Sequence, residues 1–228
     1  MKLCLLFNGM ILPILKEIIN YLDTFPPLVI LLVALNKKTL KGSYIFDFLA
    51  IQFICNLGAN ILNEFNWHNL FMYHLNCIAS FVALSLFYIR LFNTRTTKMV
   101  ITGVGAIFTI FFFYDILKLE HIDVFNSNTF GLASFILCAY ALFYYLKIFK
   151  STPEDNILKS ANFWFNTGIF SYYTINFFIF LTYNKLTQEK PPLLIIIWQL
   201  HNAIFLIMCA YLFIGTLCKR SQEKLKLF

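Results

Sequence analysis

Ionisable side chains interrupt several long apolar stretches of this 228-residue chain. His74, Asp115 and His201 stand out, because an ionisable group inside an apolar helix is costly and marks a functional site by default. Imidazole and carboxylate groups can exchange protons, coordinate a metal ion or hydrogen-bond a polar ligand. The chemistry open to these residues is therefore proton transfer, metal ligation or polar recognition.

Amide side chains recur at helical spacing around these three residues. Gln52, Asn56 and Asn60 follow one another at intervals of four, which places them on one stripe of a helix. Asn166 and Asn176 share a second stripe in a later segment. Such amides also hydrogen-bond between helices as packing contacts, worth about 0.6 kcal/mol each. Each asparagine taken alone is therefore better explained by packing than by ligand contact.

The segments that carry these residues are long enough to cross a bilayer. The chain is 60% hydrophobic and only 13% charged, whereas a soluble domain has about 25% charged residues. This composition excludes a soluble domain, a disordered chain and a disulfide scaffold. A bilayer-spanning helix needs about 20 apolar residues. We therefore predict an all-α, polytopic membrane bundle with seven transmembrane helices over residues 18–36, 43–63, 69–92, 99–117, 128–149, 161–183 and 192–217.

The two ends of the chain differ from this seven-helix domain of residues 18–217. Residues 1–17 are apolar and lack a small-x-small cleavage site, so we predict an interfacial or re-entrant helix there. An eighth span is the alternative. The first span is expected to be kinked at Pro26 and Pro27, and it contains Asp23. Residues 218–228 are predicted to form a basic cytoplasmic tail.

Lysine and arginine are shared unevenly between the two sets of connecting loops. Thirteen of the 18 fall on the side that includes the C-terminal tail. Because cytoplasmic loops are enriched in these residues, we predict the N-terminus outside and the C-terminus in the cytoplasm. The basic residues are spread over short connectors and form no single patch, so the net charge of +7 predicts no nucleic-acid partner.

This orientation places polar residues of five different helices in the outer half of the membrane. Convergence of this kind is what an outward-facing polar pocket requires, because a ligand site needs a few polar groups that meet in one concavity. The predicted ligand-binding residues are Asn56, Asn60, Glu64, His74, Asn76, Asp115, Asn176, Trp198, His201 and Asn202.

Motifs of known catalytic sites are missing from the sequence. It contains no His-Glu-x-x-His pair, no Gly-x-Ser-x-Gly elbow and no phosphate-binding glycine loop. The six cysteines lack metal or disulfide spacing, and the last span has no lysine that could hold retinal. We therefore expect no cofactor, no metal ligand and no catalytic residue, and a protein that is more simply explained as non-enzymatic.

Two stretches resemble a known family. Residues 162–169, Asn-Phe-Trp-Phe-Asn-Thr-Gly-Ile, with Tyr172 and Asn176, are one stretch, and residues 198–204, Trp-Gln-Leu-His-Asn-Ala-Ile, are the other. They are similar to the last two spans of a seven-helix bacterial membrane domain that occurs alone and ahead of histidine kinase modules. The resemblance implies a sensor or signalling role in a bacterial inner membrane, with a cytoplasmic or membrane protein as output partner.

Three functions are open at this point. The first is a sensor or receptor-like module, or a signalling accessory, whose pocket binds a small-molecule or lipid ligand. The second is a lipid-modifying membrane enzyme in which His74, His201 and one of Glu64 or Asp115 act as acid, base or metal ligand. The third is a channel or pore-forming accessory lined by the asparagine stripes, although few polar residues continue inward beyond Asn166.

Overall fold

The computed structural model describes Tyr21, Leu40 and residues 23–38, 42–150, 157–189 and 191–218. Within these residues the chain forms α-helices and one short 3-10 helix, with no β-strand, so the predicted all-α class is confirmed. The predicted helix of residues 1–17 lies outside the described residues, as does the tail beyond Cys218. The helices are α1 (Phe25–Lys37), α2 (Tyr44–Glu64), α3 (Leu70–Leu91), α4 (Arg95–Lys118), α5 (Ser127–Lys150), α6 (Ala161–Glu189) and α7 (Pro191–Leu217).

Five of these helices are long and apolar enough to cross a membrane. They are α2, α3, α4, α5 and the Ile196–Leu217 part of α7, each with 21 to 24 residues. At about 1.5 Å per residue, such helices match the hydrocarbon thickness of about 30 Å. Large apolar side chains on their outer faces are exposed, such as Ile110 at 71% and Phe149 at 76%. The chain is therefore a multi-pass membrane protein whose outer surface contacts lipid.

The first helix is shorter than the predicted span of residues 18–36. It begins at Phe25 because proline favours the first turn of a helix, and Pro26 and Pro27 occupy that turn. Asp23 lies in a turn before it. Lys38 ends the helix in the left-handed conformation, with a φ of 55°. The 13 residues of α1 extend over about 20 Å, which is less than the thickness of the hydrocarbon layer.

Antiparallel neighbours bring the polar halves of several helices to one end of the bundle. α2 packs on α3, α5 on α6, and α6 on α7, while α1 lies against α2 and α7. The α6–α7 approach is close because Gly168 has no side chain: a Cβ atom there would lie 3.1 Å from the carbonyl oxygen of Met208. α4 packs more loosely and buries a narrow strip that ends at Asp115.

The opposite half of the bundle has a closely packed apolar core. Leu84, Leu137 and Leu212 are fully buried there. The hydroxyl of Tyr88 donates to the Oδ1 of Asn166 at 2.9 Å, and the Nδ2 of Asn166 donates to a backbone carbonyl of α5. Asn166 therefore joins three helices as a packing contact.

Candidate functional site

A hydrogen-bonded amide network joins the facing sides of α2 and α3. The Nδ2 of Asn76 donates to the Oε1 of Gln52 at 3.1 Å and to the Oδ1 of Asn56 at 3.4 Å. The Ser80 hydroxyl donates to the Oδ1 of Asn76 at 2.8 Å and accepts from the Nε2 of Gln52 at 3.0 Å. All four side chains are buried. They satisfy one another, as buried polar groups must.

The same network reaches the turn that precedes α1. The Nδ2 of Asn56 donates to the backbone carbonyl of Asp23 at 3.0 Å. The Nδ2 of Asn60 donates to the Thr24 hydroxyl, which in turn donates to the Oδ1 of Asp23, both at 3.0 Å. Asp23 is only 7% exposed, and no lysine or arginine in the described part of the chain lies within ion-pair distance of its carboxylate.

The amide network forms one wall of the candidate site, and His201 belongs to a second wall, built by α6 and α7. The Nδ2 of Asn176 donates to the backbone carbonyl of Tyr172 at 2.8 Å, which fixes the orientation of the amide. The Oδ1 of Asn176 then lies 2.6 Å from the Nδ1 of His201. Because an amide oxygen only accepts, Nδ1 carries the proton and the Nε2 of the neutral ring is an acceptor. Nε2 makes no hydrogen bond within the described residues.

Aromatic rings surround this imidazole. Trp198 stacks on His201 with 5.1 Å between ring centroids, and Tyr172 lies at 5.6 Å. Tyr73 of α3 meets Trp198 edge-on at 5.6 Å, and Phe125 of the α4–α5 connection does so at 6.0 Å. These rings replace water around the imidazole, so charges in this region interact more strongly than they would in water.

A small cavity lies between the two walls. Its volume is about 20 Å³, and one water molecule needs about 10–15 Å³ of such space. A drug-sized ligand needs about 300 Å³ or more, so the cavity accepts a water-sized occupant. The four rings named above line it, and its polar lining is Asp23, Gln52, Asn56, Asn76 and His201.

The cavity unites part of the predicted pocket. The predicted residues that line it are Asn56, Asn76, Trp198 and His201. Two further predicted residues stand behind the lining: Asn60 holds the turn before α1, and Asn176 holds the imidazole. Side chains of four predicted positions, on α2, α3 and α7, therefore face one space.

The remaining predicted residues lie elsewhere. Glu64 is exposed at the end of α2, where it accepts a hydrogen bond from the Tyr21 hydroxyl at 3.4 Å. Asn202 is buried outside the cavity lining, and its Oδ1 has no hydrogen-bond partner in the described part of the molecule. His74 and Asp115 belong to a separate polar cluster among α3, α4 and α5.

The hydrogen bonds of this second cluster hold the α4–α5 connection against α3 and the start of α5. The Nε2 of His74 donates to the carbonyl of Val124 at 2.9 Å. Asn128 donates twice, from its side chain to the Oδ1 of Asp115 at 3.1 Å and from its backbone N–H to the Oε2 of Glu120 at 2.9 Å. A carboxylate at the first turn of α5 is also favoured by the helix dipole. These contacts give the cluster a structural role.

The two histidines thus have different surroundings. His74 does not line the cavity that His201 faces. Across the side chains that the structure describes, no three His, Cys, Asp or Glu residues are grouped in a way that could hold a metal ion. A joint site of both histidines with one carboxylate is therefore not assembled here.

Two polar lining residues are missing from the predicted site. Asp23 is an ionisable group in an apolar stretch, which is the same signal that singles out Asp115. Gln52 precedes Asn56 by one helical turn and shares its stripe. Tyr73 had no comparable signal, and Tyr172 was singled out only by the resemblance, because aromatic residues make up 19% of the chain and occur in every span.

Comparison with protein-family models, with curated proteins and with solved structures finds no match to this chain. Its function is therefore inferred from the geometry and chemistry of its own residues.

Proposed function

We propose that this protein is a receptor-like module of a bacterial inner membrane, with seven transmembrane helices of which α1 is shorter than the hydrocarbon layer, the N-terminus outside and the C-terminus in the cytoplasm. The observation that carries the proposal is the convergence of side chains from α2, α3, α6 and α7 on one small, partly open cavity, lined by polar and aromatic groups, at one end of the bundle. The excess of lysine and arginine in the loops at the opposite end supports an outward placement of the cavity.

The size of the cavity favours a small polar ligand over a lipid. A space of about 20 Å³ holds about one water-sized molecule. The aromatic lining keeps bulk water away, and the amide network holds the polar lining in fixed positions. A small site with its polar lining held by hydrogen bonds suits recognition better than chemistry on a long acyl chain.

α6 and α7 provide a route from the cavity to the opposite face. Asn176 of α6 holds His201 of α7 at the cavity. Further along, Gly168 of α6 lies against the backbone of Met208 of α7. Closely packed helices shift as units, so a movement at His201 would reach the ends of both helices. The resemblance of residues 162–169, Tyr172 and Asn176 and of residues 198–204 to a seven-helix bacterial membrane domain supports the same role, with a partner protein that receives the signal.

The two alternative functions have less support. A lipid-modifying enzyme would require His74 and His201 to act on one substrate, and the two belong to separate clusters. A channel would require polar residues along the whole bundle. The fully buried Leu84, Leu137 and Leu212 occupy the half that such a path would have to cross.

A fluorescent probe at Cys218 tests the proposal, because this residue follows the end of α7 that lies away from the cavity. The full-length chain, with its other five cysteines replaced, is placed in lipid nanodiscs. The low-molecular-mass fraction of a bacterial cell extract is then added. We expect a saturable change in probe emission, because an occupied cavity would move α7.

Two variants complete this experiment. His201→Ala should lose the response, whereas Thr182→Ala should keep it, because the Thr182 hydroxyl bonds only to carbonyls of its own helix. Unchanged emission with every fraction, or an equal response in His201→Ala, would exclude the receptor role. Turnover of a lipid, or a conductance in planar bilayers, would favour the alternative functions.

A further inference from the structure

We propose that the cavity binds an ammonium-sized monovalent cation, held by the Asp23 carboxylate, the His201 imidazole and the surrounding aromatic rings. The inference rests on the proposed function, because the cation would be the ligand of the receptor.

The first argument is charge. The Asp23 side chain lines the cavity and is buried. Its Oδ1 accepts a hydrogen bond from the Thr24 hydroxyl, but no lysine or arginine of the described ranges forms an ion pair with it. A buried carboxylate without a cationic partner is strongly unfavourable. A cation in the adjacent space would supply that partner.

The second argument is hydrogen bonding. The amide groups at the cavity are held within the network: the NH₂ group of Asn76 donates two hydrogen bonds, and those of Asn56 and Gln52 donate one each. Two strong acceptors remain at the cavity, the carboxylate of Asp23 and the unprotonated Nε2 of His201. Tyr73 and Tyr172 also line it, and a tyrosine hydroxyl can accept as well as donate. These groups can receive an occupant that brings several N–H donors, and ammonium brings four.

The third argument is the aromatic lining. A cation is attracted to the face of an aromatic ring within about 6 Å, and tryptophan is the most effective ring. Trp198, Tyr73 and Phe125 line the cavity. The ring centroid of Trp198 lies 5.6 Å from that of Tyr73 and 6.0 Å from that of Phe125. An anion would be repelled by the Asp23 carboxylate, so the lining favours positive charge.

The fourth argument is size. The cavity volume of about 20 Å³ fits ammonium, which is close to water in size, and excludes tetramethylammonium. Calcium and magnesium ions need a shell of about six or more ligands, mostly oxygen. The amide oxygens of Gln52, Asn56 and Asn76 already accept hydrogen bonds within the network, so they are poorly placed to form such a shell.

Thermal unfolding of the full-length chain in detergent tests the site, with tryptophan emission as the signal. The chain is titrated with ammonium chloride, potassium chloride or tetramethylammonium chloride at constant ionic strength. A bound ligand raises the unfolding midpoint. We expect a saturable rise with ammonium, a smaller one with potassium, which has similar size but no N–H donor, and none with tetramethylammonium.

Matched variants assign the effect to the cavity. Asp23→Asn should lose the ammonium-specific rise, whereas Asp47→Asn, which removes an exposed carboxylate from the other end of α2, should keep it. If Asp23→Asn does not fold, Trp198→Leu leaves the carboxylate in place and should reduce the rise. Equal midpoints in the three salts, or a full ammonium response in Asp23→Asn, would overturn the proposal.

The outcomes separate this inference from the receptor role. If ammonium fails to raise the midpoint while extract fractions still change the Cys218 probe through His201, the cation assignment is wrong and the receptor remains. If ammonium binds through Asp23 but the Cys218 probe never responds, the cation site remains and the receptor role is wrong.

Discussion

At the scale of single residues, one asparagine determines the chemistry of the cavity. The backbone carbonyl of Tyr172 takes the NH₂ group of Asn176, so the amide oxygen must face His201. That oxygen keeps the imidazole proton on Nδ1 and leaves Nε2 as an acceptor. Asn176, which lies behind the lining, therefore sets whether the Nε2 of His201 is an acceptor or a donor.

Removal of this amide should destabilise the protein measurably. In Asn176→Ala the Nδ1–H of His201 loses its acceptor in a buried, aromatic environment. We expect a loss of about 1–3 kcal/mol in the free energy of unfolding, measured by detergent titration in mixed micelles. Ser171→Ala on the same helix should have a smaller effect, because its hydroxyl bonds only to the carbonyl of Gly168 in its own helix. Equal losses in the two variants would argue against a specific role for Asn176.

At the scale of helices, two glycines on different elements have opposite surroundings. Gly168 of α6 faces the backbone of α7, and a Cβ atom would lie 3.1 Å from the Met208 carbonyl and 3.2 Å from the Tyr211 Cβ. Gly103 of α4 would place a Cβ atom within 4 Å of no other group. The first glycine permits close helix packing, whereas the second is not required by any contact within the described chain.

Alanine at these two positions should therefore give effects of opposite sign. Gly168→Ala should lower the free energy of unfolding by about 1–3 kcal/mol, because overpacking forces α6 and α7 apart. Gly103→Ala should be neutral or stabilising by up to about 1 kcal/mol, since alanine favours the helix. The same detergent titration measures both. A destabilised Gly103→Ala would indicate a contact on α4 that the isolated chain does not make.

At the scale of the whole molecule, polar and apolar cores occupy opposite ends of the bundle. The amide network, the cavity and the His74 cluster share one end, while leucines and phenylalanines fill the other. The basic loops lie at the apolar end. In the proposed topology, this arrangement places the cavity near the outer surface. The apolar packing of the inner half then separates the cavity from the cytoplasm.

Cysteine labelling tests this topology directly. Single cysteines are introduced into a cysteine-free chain at Asn66, between α2 and α3, and at Thr96, in the first turn of α4, and both positions are exposed. Because lysine-rich loops remain in the cytoplasm, a membrane-impermeant maleimide should label Asn66→Cys in intact cells. Thr96→Cys should react only after permeabilisation. The reverse pattern would invert the proposed orientation.

The helical membrane class and most helix boundaries follow from the sequence alone. Lipid offers no hydrogen bonds to a backbone, so an apolar run of about 20 residues has to form a helix whatever surrounds it. The predicted spans 43–63 and 69–92 accordingly agree with Tyr44–Glu64 and Leu70–Leu91 to within one residue. The start of α1 differs, because the prolines at its first turn outweigh the hydropathy that extended the prediction to residue 18.

The grouping of polar residues into sites was decided by tertiary structure. Periodicity identifies which residues share a stripe of one helix, but the neighbour that this stripe faces depends on how each helix is rotated. That rotation is set by contacts distant in sequence, such as Gly168 against Met208. For this reason His74 and His201, at similar predicted depth, lie in separate clusters. For the same reason Asp23, which precedes a short helix, joins the cavity that Asn56 and His201 share.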